Sequence, residues 1–403
     1  MSSRPGGRTV FGNLRLRGRT DLCELHVADG RILAIEAAES QPDVDLRGAL
    51  VVPGLVEAHL HLEKAYLLDR MPREATSLAD AIAMTSDLKT TFTPADIRER
   101  SLRLIRSALS CGVTTLRAHV EVDDVLGLAA IEAILSLREE LRGLVDLQIV
   151  AFPQDGLTSQ RHAHTLLAEA LDRGADVVGG IPYVDDDPEE HLDLVFALAA
   201  RTGTPIDLHL DFSDDPTELT ILGVVERTLA YGMQGRVTVG HLTALGQVEP
   251  TCAQEIAARI AAADISVVTL PLTDVYLNGR TSACRGLTPV RMLIDAGVNV
   301  AVATNNVQNP FTPYGRGRIT DAALLLAGLC HFGSAAEAET LVDLMTVNAA
   351  RAVGLSDRSL GIGAAATFAA FDARSARDLI GDADRAVLVV KEGHVITPED
   401  LPR

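Results

Sequence analysis

No apolar stretch in the sequence approaches the roughly 18 uninterrupted residues of a membrane-spanning helix, and the opening MSSRPGGRTVFG has no apolar core behind its basic residues. Both absences lead us to expect a cytoplasmic chain with no membrane partner. Lys/Arg-rich runs are missing too, and the formal charge is −19, so phosphate backbones and anionic lipids are repelled and no nucleic acid is expected as a partner. Cysteine is sparse. Cys23, Cys111, Cys252, Cys284 and Cys330 are odd in number, scattered and without C-x-x-C spacing, which reads as reduced, mostly buried thiols. Solenoid repeats and low-complexity linkers are also absent. What is present is a 403-residue chain, 47% apolar, able to bury a large core and suited to a small-molecule partner.

Short β-branched runs alternate with segments of helical period such as DIRERSLRLIRSALSCG and LDLVFALAARTG, the pattern of βα units around a parallel sheet. The runs end near His59, His119, Gln154, Gly180, His209, His241, Pro271 and Asn305. Eight units over about 250 residues match an α/β fold of the (β/α)8 TIM-barrel type, whose active site forms at the C-terminal ends of the strands. Glycines close several helices before the next strand, as in ALSCGVTT and IDAGVNVAV. The flanks read as short strands with D-G and E-G turns, LHVADGRILAIE and AVLVVKEGHVI. The expected organisation is a small β-sandwich formed by both termini, residues 1–54 and 355–403, embracing a barrel over residues 55–354.

His59 and His61 lie two apart at a strand end, so they face the same side, and His209 and His241 end the fifth and sixth strands at the same mouth. Neutral imidazoles favour zinc, iron or a similar cation, and three protein ligands with an open position are the usual catalytic arrangement. The pair His162 and His164 has the same spacing but opens an apparent helix, where such residues diverge, and reads as solvated surface. Near the mouth, His119 reads as a partner that orients a ligand, Glu63 and Lys64 as a frame to the entrance or a mutual pair, Phe152 and Phe212 as walls for a flat ring or equally as barrel core, and Arg280 and Arg285 as solvated loop residues rather than contacts to an acidic substituent.

The segments VEAHLHLEK, RAHVEVDD, VAFPQDG, VVGGIP, IDLHLD, RVTVGHLTAL, TLPLTDVYLNGR and NNVQNPFTPYG, in that order and spacing, resemble the bacterial cytosine deaminases and N-isopropylammelide hydrolases of the amidohydrolase superfamily. The resemblance covers about residues 20–395. It implies one divalent metal ion, zinc or iron, on His59, His61 and His209 with a strand-eight carboxylate, a ring held by Gln154, charge stabilisation by His241, and a homo-oligomer.

Two positions depart from that pattern. Asn305 stands where the family has the strand-eight aspartate, and an amide cannot accept the proton of an attacking water as a base. Phe212 stands where the deaminases place a proton-shuttling glutamate. Asp211, on the same face as His209, is the nearest replacement, with a loop or cap role as its alternative. Asn305 and Asn306 are read as presenting donor and acceptor groups to a substrate, with capping of the loop before Pro310 as the alternative for Asn306 and Asn309. The expected function is metal-dependent hydrolysis of a non-peptide C–N bond in a small nitrogen heterocycle, by deamination or ring opening with water activated on the metal. A barrel that binds a heterocycle without hydrolysis and a metal-assisted isomerase are the alternatives.

Overall fold

The alternating apolar runs become strands in the computed structural model, which describes residues 7–39, 41–280, 285–355 and 358–402. In chain order they are Leu55–Leu60, Val113–Glu121, Asp146–Phe152, Val177–Gly180, Ile206–Leu210, Val237–His241, Ser266–Thr269 and Val300–Val302. Each pairs in parallel with the next. The ring closes between the eighth and the first, where the Asn305 amide N–H donates to His59 O at 3.0 Å and the His61 N–H donates to Asn305 O at 3.1 Å. The product is a (β/α)8 barrel with its strands buried on both faces.

Helix Pro94–Ser110 shows how the outer layer forms. Thr93 caps it by accepting from Asp96 N, proline occupies its first turn, and Ile97, Ser101, Ile105 and Ala108 face inward at helical spacing. The helix gives way at Gly112, φ +92°, where a Cβ would come within 2.7 Å of Phe371 Cζ. Only glycine fits this seam between barrel and terminal strands.

The termini combine in a second β unit. Strand Thr9–Leu16 pairs antiparallel with Cys23–Ala28, and its last residues pair in parallel with Leu50–Pro53. That strand carries Phe368–Phe371, followed by Ala386–Lys391 and His394–Ile396. A separate apolar core fills the unit, with Phe11 edge-on to Phe368 at 5.2 Å. The D-G and E-G pairs form its hairpin turns, with Asp29, Gly30, Glu392 and Gly393 all at positive φ. Among the described residues no helix is long and apolar enough to cross a membrane. Cys23, Cys111 and Cys330 are buried free thiols and Cys252 is an exposed one, while Cys284 lies outside the described residues.

Candidate active site

Period-two alternation stacks the polar residues of the barrel interior in layers. Arg117 on the second strand meets Asp207 on the fifth at 2.7 Å, and one layer higher His119 lies 4.8 Å from His209, centroid to centroid. The first strand adds His59 and His61. His209 Nε2 is 3.1 Å from His59 Nε2 and 3.1 Å from His61 Nε2. His119 lies deeper in the cluster than its sequence reading as an outer support suggests: its ring is 3.8 Å from that of His59, and His59, His119 and His209 each offer one ligating nitrogen within 4.8 Å of the others.

The donor set fits a divalent cation. Burial holds His59, His61, His119 and His209 well below the usual imidazole range, so all four are neutral. His61 Nδ1 faces His119 O at 3.2 Å, and a carbonyl only accepts, so His61 carries its proton on Nδ1 and a lone pair on Nε2. Nitrogens about 2.1 Å from one ion are themselves roughly 3–3.4 Å apart, close to the 3.1 Å that separates His209 Nε2 from each of the other two Nε2 atoms. His59 Nδ1, His209 Nδ1 and both nitrogens of His119 are buried with no hydrogen-bond partner. Three buried imidazoles so poorly paired within the protein are costly unless something else engages them.

His241 stands beside the cluster, its ring 5.4 Å from that of His209, and its Nδ1 is 2.7 Å from Asp274 Oδ1. Asp274 is fully buried and therefore raised above the ordinary carboxyl range, although His241 opposes the shift. The carboxylate accepts a hydrogen bond from Nδ1–H and leaves Nε2 as the end of the ring that faces other partners. Phe212 stacks on His241 at 4.0 Å and Phe152 on His209 at 4.1 Å, so both phenylalanines wall the site. A cavity of about 650 Å³ opens beside Phe212, Asp211, Tyr183 and Leu277.

Asp211 is placed as a cap. Its carboxylate accepts from Thr220 N, Thr220 Oγ1 and Ile221 N at the start of helix Ile221–Ala230, and burial raises it to about 6. Asp214 holds the Gly279 N–H, and Asp215 holds Thr217. Gln154 lies two residues past the third strand, and its Oε1 accepts from Lys64 Nζ at 2.7 Å, which leaves the amide NH2 free to donate. Lys64 also meets Glu121 at 2.8 Å, and Lys89 binds Glu121, Asp123 and Asp155 in the same buried network. Burial works against the Glu121 charge, but the two lysines hold its carboxyl down to about 2. Glu63, next in the chain, is buried with both carboxylate oxygens unpartnered, and burial raises it to about 7. Arg280 and Arg285 are exposed, Arg280 lying over Tyr276. His162 is exposed ahead of helix Ala163–Asp172.

Asn305 is 1% exposed and takes the left-handed conformation, φ +63°, which asparagine tolerates better than most residues. Its Oδ1 accepts from Asn306 Nδ2 at 2.9 Å, and Asn306 Oδ1 accepts from Asn309 Nδ2 at 2.7 Å. Asn309 Oδ1 in turn accepts from Phe311 N and Thr312 N. The three amides thus form one chain. Asp274 is the residue that sequence reasoning passed over: it lies inside the quoted TLPLTDVY segment, but nothing local ties it to a histidine 33 residues earlier.

Residues 44–397 match the amidohydrolase family. The chain is 29% identical to the pterin deaminase of Rhizobium rhizogenes (strain K84 / ATCC BAA-868) over 93% of its own length and 87% of that protein. It is 26% identical to the N-isopropylammelide isopropyl amidohydrolase of Pseudomonas sp. (strain ADP), over 97% and 98%. Among solved structures, 5-methylcytosine deaminase from Klebsiella pneumoniae liganded with 5-fluorocytosine superposes with a TM-score of 0.91 at 32% identity, covering 96% of this chain and 97% of that one. With the barrel, the histidine mouth and matches along nearly its whole length, the chain belongs to the amidohydrolase family.

Proposed function

We propose that the protein hydrolyses a non-peptide C–N bond of a small nitrogen heterocycle with the help of one divalent cation, zinc or iron. The observation that carries the reading is the convergence of the His59, His61 and His209 Nε2 atoms within 3.1 Å steps, in a buried cluster of neutral imidazoles. A cation held by these residues, with His119 against them, supplies Lewis acidity and lowers the pKa of water it binds. Deamination or amide hydrolysis of a ring is also what the printed names of the relatives describe for those proteins.

The remaining steps belong to the chain's own residues. Lys64 takes the carbonyl end of Gln154, so Gln154 meets a substrate as a donor, suited to a ring carbonyl or an unprotonated ring nitrogen. Phe152 and Phe212 exclude water around the ring. His241, with Nδ1 committed to Asp274, is the side chain able to hold a proton at Nε2 beside the reacting centre. Asp211 is committed to its helix cap, and Asn305 does not act as a base. Proton handling therefore falls to fewer groups than in a site with carboxylates at those positions.

A panel of pyrimidines, triazines and pterins, assayed for release of ammonia or amine with incorporation of one solvent oxygen, tests the proposal. Turnover of a member of the panel supports hydrolysis. The amide at position 305 and the phenyl ring at 212 favour one second reading, a barrel that binds its heterocycle without hydrolysing it. Tight binding without product, unchanged in Asn305→Asp, would select that reading instead.

A further inference from the structure

The amide chain has a direction, and the backbone sets it. Phe311 N and Thr312 N lie 3.0 Å and 3.3 Å from Asn309 Oδ1, and backbone N–H groups only donate, so this atom must be the oxygen. Asn309 therefore presents its NH2 to Asn306, the atom of Asn306 that receives it must be oxygen, and Asn306 presents its own NH2 to Asn305. The oxygen of Asn305 is thereby drawn toward Asn306, and its NH2 is the group the chain leaves over. All three residues are nearly or fully buried, at 1%, 2% and 0% exposure. Reversing one amide alone would set donor against donor or acceptor against acceptor, at a cost of about 1–3 kcal/mol per buried group. The order holds as a unit.

The unit ends at the histidine cluster, because the main chain of Asn305 bonds both His59 and His61. We propose that Asn306 and Asn309 are positioning residues that fix Asn305 as a hydrogen-bond donor beside the cluster, turning its oxygen away from the cation. The inference rests on the metal reading above and deepens it. The cation is left to imidazoles alone, and Asn305 contributes recognition of an oxygen or unprotonated nitrogen on the substrate. Together with the donor end of Gln154, this selects rings that turn acceptors toward these two amides.

Asn306→Asp separates this account from a merely structural one. An aspartate at 306 accepts from Asn309 on one oxygen and has only an acceptor to offer Asn305, so Asn305 must reverse and release its oxygen. Neutron diffraction from deuterated crystals reads the reversal directly, without metal. The expected result is an Asn305 NH2 directed away from Asn306 in the wild type and toward position 306 in the variant; the same orientation in both would overturn the proposal. Zinc affinity in a double-mutant cycle of Asn306→Asp with Asn305→Ala reads its consequence. Asn306→Asp should tighten zinc about tenfold when Asn305 is present and little in the Asn305→Ala background, within the range over which outer partners tune metal sites. An equal gain in both backgrounds would show a simple field effect of the new charge and would overturn the proposal. If no form binds zinc, the metal reading itself fails, and the neutron comparison still decides the orientation.

Discussion

His59 and His209, 150 residues apart in the chain, bring their Nε2 atoms to 3.1 Å inside a closed barrel. The same atom of His209 serves His61 at the same distance, so His209 is the hub of the set. His209→Ala should weaken zinc binding by more than the roughly 10–100-fold that loss of an outer partner costs, and should abolish turnover. Calorimetric titration of the metal-free variant with zinc measures the first effect. Affinity equal to the wild type would remove His209 from the site.

Asp274 acts through His241. Its carboxylate, 2.7 Å from Nδ1, fixes the tautomer and the ring plane. Asp274→Asn presents an NH2 or an amide oxygen in its place and should lower kcat by about 10²–10⁴ while KM changes little. A proportional change in KM alone would assign Asp274 to folding rather than to proton handling.

Lys64 links Gln154 to the buried acidic network. Lys64→Met leaves Glu121 paired only with Lys89, and breaking a buried pair costs about 3–5 kcal/mol. The lower end is expected here, since Lys89 remains, and urea unfolding measures it. Gln154 is then free to rotate, so KM for a substrate of the active panel should rise as well.

The fold was open to sequence reading because its periodicities are strong and local. The apolar runs, the glycines that end helices and the D-G and E-G turns at Asp29 and Glu392 carry it without long-range information. The histidines were legible for a related reason: spacing of two at a strand end, repeated at the ends of other strands, can be seen in one dimension. What could not be read was partnership across the barrel. Asp274 meets His241, Lys64 meets Gln154, and Asp211 turns to Thr220, each through side-chain geometry that no local pattern encodes. The asparagines fall between. Asn305, Asn306 and Asn309 were visible as a cluster, but the direction of their hydrogen bonds is set by the amides of Phe311 and Thr312 folding back on Asn309.

Burial sets the expected pH behaviour of cation binding. His59, His61, His119 and His209 have pKa values depressed well below 6.5, so the folded protein protonates them only at a pH well below that of a free imidazole. A proton competes with the cation only below that folded-state value. Zinc affinity should therefore stay level as pH falls from 8 to about 6, where a site of exposed histidines would already lose affinity on passing about 6.5. Titrations at a series of pH values measure it, and a steep loss beginning near 6.5 would show the cluster to be solvated.

The proposed C–N hydrolysis requires a single cation held by His59, His61 and His209. Its most direct test is to strip the protein with a chelator, return zinc or iron(II) in fractions of an equivalent, and follow ammonia or amine release from a substrate of the panel. Negligible release from stripped protein and a linear recovery that levels off near one equivalent per chain are expected. Full turnover in rigorously metal-free protein would contradict the requirement.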